Sequence, residues 1–171
     1  AGGVSVPARL TEHMQGRGRP GKSGPIDGAR RRSVYLETRR NFLDPFLQAF
    51  DQPSPASTCG RRHASNVPAQ SLALMNSELV HLMARRWAET LLPEGAFSGA
   101  ASADLDRARI ETLWLRAWNR PVTDQEKTAA LHFLQETSPL LKKPGNPEAL
   151  ETACWQELCH SLLASNAFLY K

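Results

Sequence analysis

The stretch Arg30–Asn76, RRRSVYLETRRNFLDPFLQAFDQPSPASTCGRRHASNVPAQSLALMN, carries the signals from which the rest of the chain is read. It holds three arginine clusters, an apolar and aromatic run, a turn-rich connector and a Pro-led helix start. Ser33-Val34-Tyr35-Leu36-Glu37-Thr38 is rich in β-branched and aromatic residues, which predicts a short strand. A lone strand needs a partner, and the sequence does not say where it lies. Phe42, Leu43, Phe46, Leu47 and Phe50 keep near-helical spacing, and Asp44 before Pro45 predicts a short helix with Pro at its first position. Asp51 to Thr58 reads as a loop. Pro68 opens a longer helix by the same rule, with Asn66 or Val67 at the boundary. The spacing of Leu72, Met75, Leu79, Leu82, Met83, Trp87 and Leu91 carries that helix to about Leu92.

Outward to the N-terminus, GRGRPGKSGPIDG at Gly16–Gly28 has almost no large apolar residue. Residues 1–30 therefore read as an extended Arg/Gly-rich arm, either draped on a surface or unable to order by itself. Outward to the C-terminus the pattern is helical. Asp104 is the expected cap of a helix with an Ile110, Leu113, Trp114, Ala117 and Trp118 face, closed by Asn119-Arg120-Pro121. Thr123-Asp-Gln-Glu126 is a capping box that starts the next helix, with Ala130, Leu131 and Leu134 inward. A loop follows over 138–146, and Pro147-Glu148 begins a last helix lined by Leu150, Cys154, Leu158 and Leu162. The apolar end, Ser165-Asn-Ala-Phe-Leu-Tyr170, is expected to dock.

The expected architecture is mainly α: antiparallel helices, an extended arm and one short strand element. Its parts are an arm over 1–30, an arginine-motif junction with the first long helix over 31–92, and a helical tail over 104–171. A chain that opens AGGVSVPARL, with neither an initiator Met nor a signal-peptide pattern, reads as a fragment or processed product, and the family resemblance given below implies that it is the C-terminal part of one larger domain.

The 171 residues carry a net charge of +4, with 41% hydrophobic and 22% charged side chains, ordinary values for a globular protein. No run approaches the roughly 20 apolar residues of a membrane span. Residues 1–62 hold eleven Lys/Arg against five Asp/Glu, a balance of +6, and residues 63–171 hold ten against twelve, a balance of −2. The basic character thus belongs to the N-terminal third. Clustered arginines suit acidic polymers or phosphate, but the Arg/Gly segment lacks the interleaved aromatics of a nucleic-acid platform, which disfavours that partner.

No complete catalytic constellation accompanies these features. Cys154 and Cys159 lie five apart, which on a helix means roughly 7.5 Å of rise and about 140° of rotation. That spacing suits neither a disulfide nor the C-x-x-C-H of covalent haem attachment, so both read as core cysteines, and Cys59 leaves the count odd. His63, His81, His132 and His160 form no zinc pattern, and no metal site is assigned. Asp104, Asp106, Asp124 and Glu126 are explained as first-turn residues, Ser65 lacks a G-x-S-x-G turn, and Trp87, Trp114 and Trp118 read as core. Arg39, Arg40, Arg61 and Arg62, with Asp51 and Glu37 nearby, remain as the site candidates. They form either a buried ion-pair network or an anion pocket.

RRSVY at Arg31–Tyr35, RRNFL at Arg39–Leu43, Phe50-Asp51 and RRHASNVPAQSL at Arg61–Leu72 closely resemble a planctomycete C-terminal domain of unknown function. That domain ends large secreted proteins that also carry cytochrome c-like domains. LRAWNRP at Leu115–Pro121, TDQE at Thr123–Glu126 and LLASNAFLY at Leu162–Tyr170 look like its helical tail. The resemblance implies a periplasmic or cell-envelope setting and a structural or ligand-binding role, with upstream domains of the same parent as partners. Any haem c would sit in a separate upstream domain, leaving no cofactor in this chain. The other reading is a polysaccharide-processing or acidic-glycan-binding protein that uses the arginine pairs.

Overall fold

Asp44 and Pro45 open the first α-helix as their chemistry requires. The computed structural model describes residues 3–11, 14, 21, 23–56, 58, 60, 68–92, 103–141 and 147–169. In α1 (Pro45–Ala49) the Asp44 carboxylate accepts the N–H groups of Phe46 at 2.8 Å and Leu47 at 3.4 Å, and Pro45 takes the position where an N–H has no use. The further helices are α2 (Pro68–Asn76), α3 (Glu78–Leu91), α4 (Ala103–Trp118), α5 (Asp124–Leu140), α6 (Pro147–Leu163) and α7 (Asn166–Leu169). The mainly helical expectation stands. By backbone contacts the chain falls into two units, Ala1–Leu79 and Val80–Lys171, and the chain passes from one to the other within the first turn of α3.

In the first unit, the expected strand over Ser33–Thr38 is absent. Ser33–Tyr35 forms a 3-10 turn instead, closed by Tyr35 N–H to Arg32 O at 2.9 Å and Leu36 N–H to Ser33 O at 3.0 Å. Local hydrogen bonds have taken the groups a ladder would need, and Val34 is 77% exposed. Among the described residues, what remains of β-structure is one parallel bridge between Val6 and Leu36, in which Val6 donates to Tyr35 O at 2.9 Å and accepts from Glu37 at 2.8 Å. The partner is therefore the arm itself. Its described residues run extended with Val6, Ala8 and Leu10 buried and their neighbours outward, the period of two that a pleated segment imposes. Gly24 is needed beside this arm: its N–H donates to Ala8 O at 2.9 Å, and a Cβ there would lie 1.8 Å from Pro7 O.

The single long helix expected from Pro68 to Leu92 is two helices with Ser77 between them. Asn76 turns its side chain back onto Leu72 O at 2.8 Å, and Asn-Ser is a pair that favours helix ends over helix interiors. The inward face also differs from the expected stripe. Leu72 and Met75 are 60% and 56% exposed, whereas Gln70 and Leu74 are the buried residues of α2. On α3 the buried line is Val80, Ala84, Ala88 and Leu91, whose small central members admit close neighbours, with Trp87 packed at its side.

The second unit holds the main core: Ile110, Leu113 and Trp114 of α4, Ala130 of α5, and Trp155, Leu158, Cys159 and Leu162 of α6, with the alanines of α3. Full burial of each large side chain contributes about 1.5–3 kcal/mol relative to exposure. Helices α4, α5 and α6 alternate in direction. Lys127 in the first turn of α5 reaches Glu111 beyond the middle of α4 at 2.6 Å, and Ser138 near the end of α5 faces Cys154 of α6. Early α4 meets early α6 where Arg109 bonds Glu151 at 2.9 Å. Asp104 lies inside the first turn of α4, not ahead of it, and bonds Arg107 at 3.0 Å. The Thr123–Glu126 capping box forms as read, and α5 continues through Pro139 into the stretch expected to be loop. The short α7 lies beside α4 and α6, but it buries no side chain and Phe168 is exposed, while Tyr170 lies outside the described residues.

Candidate binding cleft

A cleft of about 890 Å³ opens in the first unit. Its lining draws on three stretches of chain: Phe46 and Leu47 of α1 behind the Asp44 cap, Ala73, Asn76 and Leu79 about the interruption at Ser77, and Leu10 of the arm with Leu36.

The rim over Asp27–Arg30 is strained. Gly28, Ala29 and Arg30 all have positive φ, at 55°, 54° and 58°, a conformation that costs residues with a Cβ roughly 1–2 kcal/mol each. The Asp27 carboxylate accepts the Ala29 N–H at 3.1 Å and so holds the turn. Held strain of this kind beside a concave surface is a feature of binding sites.

Among the described residues, five ionisable side chains line the cleft: Arg9, Arg31, Asp27, Asp44 and Glu78. Arg9 Nη2 lies 2.7 Å from Glu78 Oε2, and its Nη1 lies 3.5 Å from Ser23 Oγ. Arg31 donates to the Val4 carbonyl, and its guanidinium lies 5.1 Å over the Tyr35 ring. Neither arginine was singled out from the sequence as a site, because the clusters were read as pairs in the chain and not by what each side chain faces.

Of the arginines that were singled out, Arg39 meets Glu37 at 3.3 Å, a pair with 35% and 39% exposure, and Arg40 is exposed. Asp51 follows α1 in the left-handed region at φ 56° and is half-buried. Arg61 and Arg62 lie outside the described residues. The cleft wall includes none of Arg39, Arg40 and Asp51.

A second polar cluster stands in the other unit, at the turn from α4 to α5. Arg120 bonds Glu126 through both nitrogens, at 2.9 and 2.5 Å, and its guanidinium lies 5.0 Å over Trp118. Trp118 in turn meets Trp114 edge-on at 5.2 Å. Asn119 takes φ 53°, the left-handed conformation that Asn tolerates, so the chain can turn sharply between the helices. The hydrogen bond from Arg120, followed by those from Thr123, holds the Glu126 carboxyl well below the usual carboxylate range against the opposing effect of burial. The Trp114 indole N–H lies close enough to add to this, without completing a hydrogen bond of its own. The LRAWNRP and TDQE motifs are thus one interlocked helix corner.

Buried Arg109 is satisfied in the same unit by Asp106 at 3.1 Å and Glu151 at 2.9 Å, and lies 5.7 Å over Trp155. Cys154 and Cys159 are free and buried on α6. Burial pushes the Cys159 thiol up to about 12 and raises Cys154 as well, so both are protonated, unreactive core groups. His81 and His160 stack with ring centroids 4.0 Å apart. Among the described residues, no three metal-ligating side chains come together and no helix is long and apolar enough to cross a membrane.

The family model described as Protein of unknown function (DUF1553) matches residues 2–134, a range that contains the whole cleft and the helix corner. No curated protein and no solved structure matches the chain. With most of its length inside that match, the chain belongs to the DUF1553 family.

Proposed function

We propose that this chain is a ligand-binding module of a larger periplasmic or envelope protein, and that it acts beside other domains of the same polypeptide. The observation that carries the reading is the cleft of about 890 Å³ in the first unit. Its size falls in the roughly 300–1,000 Å³ range of pockets that enclose small ligands, and its walls combine apolar side chains with a few convergent polar groups. The resemblance to planctomycete domains of cytochrome-associated secreted proteins supports the setting, with haem c belonging to a separate upstream domain of the parent. Absorbance of the purified chain beside that of the parent tests the haem assignment: a Soret band in the chain alone overturns it.

Binding is tested by titrating the isotopically labelled chain with panels of short peptides and of oligosaccharides, following backbone amide resonances. Shifts centred on Leu36, Phe46, Leu47 and Ala73 support the cleft. Glycan binding through the arginine motifs is the second reading, and exposed Arg40 with half-exposed Arg39 favours it. It requires instead that sulfated glycans shift the Arg39–Arg40 amides and that Arg39→Ala or Arg40→Ala weaken the effect without lowering the melting temperature.

A further inference from the structure

The charge balance of the cleft runs against that of the chain around it. Residues 1–62 carry a balance of +6, yet the described residues that line the cleft include two cations and three anions. Both cations are engaged within the wall. Arg9 is neutralised by Glu78 at 2.7 Å, and Arg31 is drawn to the Val4 carbonyl and the Tyr35 ring. Asp27 is tied to the Ala29 N–H and lies 3.9 Å from Arg30.

Asp44 differs from these. Its Oδ1 accepts both capping N–H groups, at 2.8 and 3.4 Å, and its Oδ2 accepts no hydrogen bond from any described residue. A carboxylate has room for about four acceptor contacts, so Asp44, which lines the cleft, keeps acceptor capacity beyond its cap. Phe46, two residues on, also lines the cleft, and an aromatic face attracts a cation. Leu10, Ile26, Leu36 and Leu47 line the same cleft and suit a hydrocarbon stem. The volume of about 890 Å³ exceeds what one side chain fills, and Ser33, Asn76 and Ser77 supply polar groups for amide backbone.

Resting on the binding reading above, we infer that the cleft takes an extended peptide segment and seats one lysine or arginine side chain in it. The stem lies on the apolar walls and the charged head meets Asp44. An acidic peptide brings its carboxylate against that of Asp44, and a wholly apolar one leaves the Asp44 carboxylate stripped of water without a partner.

The experiment uses the full chain and fluorescence anisotropy with three labelled peptides: acetyl-Leu-Ala-Lys-Ala-Leu-amide and its counterparts with norleucine or glutamate at the centre. The lysine peptide is expected to bind about tenfold more tightly than the norleucine peptide, the worth of one hydrogen bond to a charged group, and the glutamate peptide most weakly. Asp44→Asn should abolish the preference at unchanged melting temperature, because Asn caps a helix as well as Asp does. Equal binding of the three peptides, or a preference that survives Asp44→Asn, overturns the cation assignment while leaving cleft binding in place. Displacement of the lysine peptide by n-butylamine at equal concentration overturns the peptide as occupant. If no peptide binds and no cleft amide shifts, the binding reading itself fails.

Discussion

Gly24 shows how one residue decides whether the arm can lie where it does. Any side chain there would put its Cβ 1.8 Å from the Pro7 carbonyl oxygen, and that oxygen is backbone that cannot swing away. Gly24→Ala should therefore destabilise the first unit by about 1–3 kcal/mol, the usual cost of forcing atoms into a filled space. Urea denaturation followed by hydrogen exchange at Val6, Ala8 and Leu10 checks this, and unaltered protection of those amides would show that the arm tolerates the extra carbon. Little at this scale was readable beforehand. Gly24 looked like one glycine among many in a Gly/Pro-rich run, and its meaning comes from a chain segment sixteen residues away in sequence at Ala8, whose carbonyl it bonds. Arg9 and Arg31 escaped notice for the same reason, since a guanidinium acquires its role from what it faces.

At the level of elements, the corner between α4 and α5 carries its own pH dependence. Because Glu126 is held below the ordinary glutamate value of 4.5 in the folded chain, folding favours its ionised form. The resulting stabilisation is fully present above pH 4.5 and is lost as pH falls from there toward the lowered folded value. Glu126→Gln should flatten the fall in melting temperature over that acid range while lowering stability at neutral pH, and Thr123→Ala should cost about 1 kcal/mol through the cap. A Glu126→Gln variant that loses stability with acid as steeply as the parent would mean that other carboxylates set the acid limit. This corner was legible from spacing alone, because a capping box is a contact between residues three apart. Asp44-Pro45 and Pro147 were legible on the same ground. The division of α2 from α3 had a local signal too, in Asn76-Ser77, but the apolar period running through it outweighed that signal.

Across the molecule the two units differ in how much they bury. The second unit encloses Ile110, Leu113, Trp155 and Cys159 almost completely, whereas the first relies on Val6, Ala8, Leu10 and Leu74. Hydrogen exchange should accordingly be slowest in α4 and α6 and faster by at least about tenfold in the arm and α1, where few buried contacts oppose local opening. Equal protection throughout would mean that the first unit gains order from more than these side chains. By itself, the sequence determined the helical class, the starts of α1, α2, α5 and α6, and most of the inward faces of α4 and α6, because caps and helical periodicity act within a few residues. Only the tertiary structure decided that Ser33–Tyr35 is a turn followed by a bridge from Leu36 to Val6, that α3 buries its alanines, and that Asp44 lines a cleft. Each of those depends on which distant backbone group or side chain comes close enough to compete with the local choice.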